Sequence, residues 1–160
     1  MRKREDMVNP RFAKTVHEVA SEVLIPVGFG AVRREDAGNP PAVVFVKPWR
    51  GRLLAAVGLQ AARGKRAFRV ELGVIPAGGD FYAASPFSDM GPWRTSGLRV
   101  DLAKLTDAST MNTSFDGDFF LYQDGETLRS QVRRALSLAL DVGEGMWKQL
   151  GERLLKANRR

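Results

Sequence analysis

A pair of strand patterns joined by a short connection constrains the fold of this chain most. In the run RAFRVELGVI, residues 66–75, apolar side chains recur at every second position, which is typical of a strand with one face on a core. LLAAVGLQA, residues 53–61, predicts a second strand. Only residues 62–65, which include Gly64, separate the two runs, so we expect an antiparallel hairpin. The second face of 66–75 is expected to be largely exposed to water.

An amphipathic helical pattern lies on each side of these strands. The first runs from Asn9, a natural N-cap, to Pro26, where the helix is expected to end. The second follows Asp124, which is placed to cap it. Because glycine is a poor helix former, Gly143 and Gly145 are predicted to divide the second region into two helices.

Shorter β patterns complete the predicted sheet. AVVFV, residues 42–46, lies between prolines, and residues 98–106 and 119–122 give two weaker strand patterns. Residues 76–97 are rich in Gly, Pro and Ser and predict a long loop. The order predicts an α+β fold: an N-terminal helix, an antiparallel meander sheet of about four to six strands, and one or two C-terminal helices packed on one face.

Length and composition limit the kind of protein this is. A chain of 160 residues predicts one domain, 1–160, in which residues 1–8 form a loose basic tail. Without cysteine the chain has no disulfide, no thiolate nucleophile and no cysteine-ligated zinc. Its longest apolar run, residues 53–59, is far shorter than a membrane span, and no secretory signal pattern is present, so we expect a soluble cytoplasmic protein. No pattern predicts an oligomeric state.

The charge of the chain is unevenly distributed. The net charge is +7, and the basic and acidic side chains number 14 and 7 in residues 1–75, 3 and 8 in residues 76–128, and 8 and 3 in residues 129–160. Both ends are therefore basic and the middle is acidic. This layout favours an acidic partner, either protein or nucleic acid, although a positive net charge also serves solubility alone.

Patterns for catalysis and cofactor binding are weak. His17 is the only histidine, and its place beside a helical apolar stripe favours a structural role. Asp116 and Asp118 resemble the start of a calcium loop, but the glycine and glutamate that such a loop needs are absent. The glycines near residues 28 and 64 fit neither nucleotide-binding pattern. We therefore predict no catalytic residue, no metal and no cofactor.

The predicted partner-binding residues are cationic or aromatic and fall into three groups. Arginine and tryptophan are common at binding hot spots, and clusters of cations attract acidic surfaces. The hairpin connection contributes Arg63, Lys65 and Arg66. Two Pro-Trp-Arg tripeptides in predicted loops contribute Trp49, Arg50, Trp93 and Arg94. The C-terminal helix contributes Arg129, Arg133 and Arg134.

Several short stretches resemble one family. These are GFGAVRRE at 28–35, FRVELGV at 68–74, RVDLAKLT at 99–106 and FFLYQDGETL before the C-terminal helix. Together they resemble the bacterial domain-of-unknown-function family number 4304, over about 130 residues of this chain. Where that family has a pair of tryptophans, this chain has Phe119 and Phe120. The resemblance implies an α+β fold of helix, meander sheet and helices, and it implies no catalytic residues.

Three functions are consistent with these patterns. The first is a non-catalytic interaction domain that binds a protein partner, in the manner of an antitoxin, an immunity protein or an accessory factor. The second is a nucleic-acid-binding module that uses the basic hairpin connection and the basic C-terminal helix. The third is an enzyme that uses carboxylates such as Asp116 and Asp118. We favour the first, because no nucleophile–base pair, metal cluster or nucleotide loop is recognisable.

Overall fold

The computed structural model describes residues 12–32, 41–83, 85–86, 97–105, 115–116 and 119–157. The helices span Phe12–Val23 (α1) and Gly125–Ala157 (α2). The strands are β1 (Gly30–Val32), β2 (Ala42–Arg50), β3 (Leu53–Ala61), β4 (Ala67–Pro76), β5 (Ser85–Pro86), β6 (Leu98–Asp101), β7 (Phe115–Asp116) and β8 (Phe119–Leu121). Short 3-10 turns lie at Ile25–Val27, Phe81–Ala83 and Leu102–Lys104. The predicted α+β fold is confirmed, whereas Asn9 and residues 1–8 lie outside the described residues.

All the strands belong to one sheet. Its order is β1-β2-β3-β4-β6-β5, and neighbours along this path are antiparallel except β5 and β6. β8 pairs with the start of β4, where Phe68 lies opposite Phe120, and β7 pairs with β8. Six of the described strands have three or more residues, and β5 and β7 have two each. Because β1 to β4 follow one another in both chain and sheet, this part is the predicted meander.

The β3–β4 hairpin agrees closely with its prediction. β3 has the predicted bounds, residues 53–61, and β4 begins at Ala67, one residue later than predicted. The hairpin is closed by Ala62, whose N–H donates to the carbonyl of Ala67 at 2.8 Å. Gly64 has a φ of +75°, a conformation that only glycine adopts without cost, and this explains its place in the connection.

Both helices pack on the same face of the sheet and enclose the main hydrophobic core. On α1 the buried apolar residues recur at helical spacing, as predicted. Near the start of β4, the ring of Phe68 meets the rings of Phe12, Phe120 and Tyr122, with centroids 5.8, 5.2 and 6.4 Å away. This aromatic group joins α1, β4, β8 and the residue after β8, so it ties together parts of the chain that are distant in sequence.

The second face of β4 is mostly buried, so the prediction that it is largely exposed to water is wrong. Phe81 lies against this face, in a space that exists only because Gly58 and Gly73 lack side chains; a Cβ at either would come within 2.4 or 2.7 Å of the ring. A second, smaller core forms there from Val44, Ala56, Ile75 and Phe81. The cover comes from the segment after β4, and sequence alternation within β4 carries no information about it.

The tripeptide Pro48-Trp49-Arg50 lies in a strand and not in the predicted loop. β2 continues to Arg50, with an irregularity in its pairing to β3 between Pro48 and Arg50. Proline is tolerated at such an irregularity because one ladder hydrogen bond is already missing. Trp49 is half-buried, and its ring lies over Gly151 of α2, where a Cβ would come within 2.4 Å. The ring therefore anchors β2 to the end of α2.

The C-terminal region is one continuous helix of 33 residues, so the predicted division at Gly143 and Gly145 is wrong. Gly143 is buried beneath the ring of Trp147, which would lie 2.5 Å from an added Cβ. The indole N–H of Trp147 donates to the carbonyl of Ala56 at 3.1 Å, and its ring lies 5.4 Å from that of Phe29. Tertiary packing of this kind outweighs the low helix propensity of glycine, which costs a helix about 1 kcal/mol relative to alanine.

The two glycines of α2 give a matched pair of predictions. Gly145 is exposed with nothing within 4 Å of an added Cβ, so Gly145→Ala should raise the free energy of unfolding by up to about 1 kcal/mol. Gly143→Ala gains the same propensity, but overpacking against Trp147 costs about 1–3 kcal/mol, so we expect a net loss of about 1 kcal/mol. Urea unfolding of both variants measures these changes in the free energy of unfolding. Stabilisation by both substitutions would contradict the close packing of the Trp147 ring on Gly143.

Asp124 caps α2 as predicted. Its Oδ1 accepts a hydrogen bond from the backbone N–H of Thr127 at 2.8 Å, and the Thr127 hydroxyl accepts from the N–H of Asp124 at 2.8 Å. These bonds to the carboxylate lower the pKa of Asp124 below its ordinary value. The start of α2 is thereby fixed next to Gln123, whose carbonyl accepts a hydrogen bond from Arg66 of the hairpin connection. Among the described residues, no helix is both long enough and apolar enough to cross a membrane.

Candidate functional site

Three cations stand together at the closed end of the β3–β4 hairpin. Arg63, Lys65 and Arg66 are all exposed, and we call them the basic tip. The charged side chains of residues 61–66 are all cations. The structure therefore presents all three predicted cations at one turn. Three cations in the four residues 63–66 form the highest local density of positive charge along the described sequence.

The basic tip is held in place by the start of α2. The guanidinium Nη1 of Arg66 donates to the carbonyl of Gln123 at 2.6 Å, and the N–H of Tyr122 donates to the carbonyl of Arg66 at 3.2 Å. Because Gln123 immediately precedes the capped first turn of α2, the hairpin end rests on a rigid element. A tip held in this way loses little conformational freedom when a partner binds.

An aromatic ring lies next to the basic tip. The ammonium of Lys65 lies 4.5 Å from the centroid of the Phe119 ring, and the guanidinium carbon of Arg69 lies 5.4 Å from it. Phe119 is half-buried beside these cations. Cation–π contacts of this kind contribute about 0.5–1 kcal/mol at exposed sites and orient the charged groups. The sequence patterns do not identify Phe119 as a binding residue.

Four charged side chains continue this surface along the sheet face that carries Phe81. Glu71 of β4 lies directly opposite Asp101 of β6. Arg69 donates from Nε and Nη2 to the two carboxylate oxygens of Asp101, at 3.1 and 2.9 Å. Arg99 donates from Nη1 to Glu71 at 2.6 Å. We call these four residues the charge block; each strand contributes one arginine and one carboxylate, and the pairs cross between the strands.

The charge block is layered, with its acids beneath its bases. The side chains of Glu71 and Asp101 are 6% and 9% exposed, whereas those of their partners Arg99 and Arg69 are 21% and 31% exposed. The four formal charges of the block sum to zero. Because its carboxylates are buried, the part of the block that solvent reaches is mainly arginine. The ring of Tyr82 lies 5.9 Å from the guanidinium carbon of Arg99 and helps to position it.

Burial raises the pKa of Glu71 above its ordinary value of 4.5, although Arg99 opposes this shift. An acid whose pKa is higher in the folded state favours folding most while it is protonated, and this contribution is lost as the pH rises through the raised pKa. The free energy of unfolding of the wild type, relative to Glu71→Gln, should therefore be larger near pH 4 than near pH 7. Urea unfolding across this range measures the difference, and a difference of the opposite sign would contradict the burial of this carboxyl.

The C-terminal arginines do not extend the basic tip. Arg129 pairs with Glu18 of α1 at 2.5 Å, and Arg133 pairs with Glu22 of α1 at 2.6 Å. The spacing of four residues on both helices brings these pairs into line, which the sequence alone does not reveal. Arg134 is half-buried. The positive charge of Arg129 and Arg133 is thus balanced at the contact between the helices.

The structure describes only the first of the two Pro-Trp-Arg tripeptides. Trp49 anchors β2 to α2, as described above, while Arg50 is exposed with its guanidinium carbon 6.0 Å from the Trp49 ring. Trp93 and Arg94 lie outside the described residues. The hypothesis that Trp93 and Arg94 contact a partner therefore stays a prediction.

The residues considered for catalysis do not assemble into a site in the described structure. His17 is exposed on α1, with its ring 5.7 Å from that of Phe45. Asp116 is described only as a backbone position in β7, and Asp118 lies outside the described residues. Within the described ranges, no group of three or more His, Cys, Asp or Glu side chains is placed to hold a metal ion.

A shallow groove of about 330 Å³ lies along the second half of α2, where Lys148, Glu152, Arg153 and Lys156 contribute to its lining. Its residues come from a single helix and carry both charge signs. They provide neither a buried polar group nor a convergent set of donors, which small-molecule sites usually have. We therefore place the candidate site at the basic tip, Phe119 and the charge block.

Comparison with protein-family models finds no match, and comparisons with curated proteins and with solved structures find none either. The resemblance to the domain-of-unknown-function family therefore stays a prediction from the sequence. The geometry and charge of the candidate site are therefore the basis for a proposed function.

Proposed function

We propose that this protein is a non-catalytic interaction domain that binds an acidic surface of a protein partner through its basic tip. The observation that carries this proposal is the presentation of Arg63, Lys65 and Arg66, all exposed, on a turn fixed to the start of α2. Clustered cations accelerate association with an acidic partner by electrostatic steering. The cytoplasm, predicted from the sequence, is the location we propose for this binding.

The surface around the tip favours protein over nucleic acid. Nucleic-acid binding usually spreads phosphate contacts over many cations, and affinity then falls steeply with salt. Here Arg129 and Arg133 are paired with Glu18 and Glu22, whose side chains are about as exposed as the arginines, so these pairs present both signs of charge and add little to such a footprint. Nucleic acid remains the alternative that the experiments must address.

The experiment that tests this function begins with site-specific photo-crosslinking. A photoreactive amino acid at position 63 reports on the tip, and the same residue at the exposed position 148 of α2 is the control. In cells of the source organism, we expect position 63 to capture a protein that position 148 does not. The purified pair should then bind about a hundredfold or more weakly when Arg63 and Lys65 are both changed to glutamine, since each lost charge-assisted contact contributes about 1.5–3 kcal/mol.

A matched control keeps the net charge equal. Lys14 and Lys148 are exposed on α1 and α2, and changing both to glutamine removes the same two charges away from the tip. This double variant should bind like the wild type. If the two double variants weaken binding equally, only the net charge matters and the tip is not the contact; if position 63 crosslinks to nucleic acid alone, the alternative function is correct.

A further inference from the structure

The charge block has features of a preorganised receptor for carboxylates. Arg69 is held by both of its bonds to Asp101, and Arg99 is held by Glu71 and flanked by Tyr82. The rotamer freedom that an arginine normally loses on binding has therefore been lost already. Fixed guanidinium groups are suited to bind a carboxylate, because their planar array of donors matches its two oxygens.

The position of the block relative to the basic tip suggests a continuous track. Arg69 lies four residues after Lys65, and Phe119 contacts both of these cations. Arg99 lies opposite Gly73, a further four residues along β4, which corresponds to roughly 13 Å of strand. Cationic side chains thus accompany β4 from the hairpin end towards its middle.

We propose that the charge block and Lys65 together bind an extended acidic segment of the protein partner, whose carboxylates lie on the arginine side chains. This inference rests on the proposed function and names the chemistry of the partner. In an extended segment, side chains on one face recur about every 6.6–7 Å, so carboxylates at alternate positions can follow a track of cations. The buried Glu71 and Asp101 hold the arginines in place from beneath the surface that the segment contacts.

The probe is an octapeptide that alternates glutamate with threonine, labelled with a fluorophore. An isomer with all glutamates before all threonines has the same charge and composition. In a titration at low salt, the alternating peptide should bind at least about threefold more tightly, because only its carboxylates share one face. Equal affinities would overturn the proposed track. Tighter binding of a single-stranded oligonucleotide of equal charge would also overturn it, in favour of nucleic acid.

A double variant tests the block without leaving a buried charge. Removing Arg99 alone would strand Glu71, which is costly, so Glu71 and Arg99 are both changed to glutamine. The matched control changes Glu18 and Arg129 of the helix pair to glutamine, which removes the same pair of charges elsewhere. We expect about tenfold weaker peptide binding for the first and no change for the second. An unchanged affinity in both would overturn the role of the block.

A measurement on the wild type keeps the proposal falsifiable if the block variant does not fold. The side-chain Nε–H signals of Arg69 and Arg99 should shift in NMR spectra when the alternating peptide is added, while that of Arg129 should not. Absence of any shift at Arg69 and Arg99 in the presence of bound peptide would overturn the proposal. If the tip variant loses partner binding and the block variant does not, this inference fails and the proposed function stands; if neither loses binding, both fail.

Discussion

Replacement of Phe68 by alanine should lower the free energy of unfolding by about 3–5 kcal/mol. Phe68 is fully buried, and its ring contacts those of Phe12, Phe120 and Tyr122. The loss combines the transfer free energy of the deleted ring with the cost of the cavity that remains among its three large neighbours. This cavity cannot close without moving α1 or β8. Urea unfolding measures the change directly.

The matched control for Phe68 is Phe119 in the neighbouring strand. Phe119 is half-buried, and its described ring contacts are with the cations Lys65 and Arg69. We expect Phe119→Ala to cost about 1 kcal/mol or less, in line with exposed cation–π contacts. A comparable loss for both variants would contradict the assignment of Phe68 to the core and Phe119 to the binding surface.

Trp147→Ala should cost about 3–5 kcal/mol as well, because it removes one of the large buried contacts by which α2 docks on the sheet. The ring of Trp147 is buried against Phe29 and Gly143, and its indole N–H donates to the carbonyl of Ala56. Trp147→Phe should cost less, because it keeps an aromatic ring and loses the hydrogen bond, which is worth about 0.5–1.5 kcal/mol.

A double-mutant cycle adds a sharper test of the same contact. Without the ring at position 147, the added Cβ of Gly143→Ala meets no obstacle there. In the Trp147→Ala background, the Gly143→Ala change should therefore turn from destabilising to stabilising, by up to about 1 kcal/mol of helix propensity. An unchanged sign would mean that Gly143 is required for a reason other than the ring of Trp147.

Local patterns predicted the parts of the fold that depend on local contacts. The bounds of β3 follow from its apolar run and the turn at Gly64, and both are properties of neighbouring residues. The cap of α2 follows from Asp124 and its bonds to Thr127, which are three residues apart. Such features are determined within a few residues, and sequence patterns therefore describe them well.

The errors arose where distant parts of the chain meet. Propensity alone places a break at Gly143, but the ring of Trp147 and the docking of α2 keep the helix continuous. Alternation in β4 indicated an exposed second face, but Phe81 from the following segment covers part of it. Neither contact can be read from the composition of the element that it changes.

The candidate site was predicted in part. The basic tip is present as the sequence indicated, whereas Arg129 and Arg133 are paired with α1 because helix packing brings Glu18 and Glu22 beside them. The charge block was missed, although its signal is present: Arg-Val-Glu at 69–71 and Arg-Val-Asp at 99–101 repeat one pattern. Only the antiparallel register, which sets Glu71 opposite Asp101, turns these two tripeptides into crossed ion pairs.

The central claim is that the basic tip steers and binds an acidic protein partner, and association kinetics with the crosslinked partner test it most directly. The association rate constant of the wild type should fall steeply as salt is raised, by about tenfold or more. The variant with glutamine at positions 63 and 65 should associate slowly with little salt dependence, and the variant with glutamine at positions 14 and 148 should behave like the wild type. Identical salt dependence in all three proteins would contradict the claim.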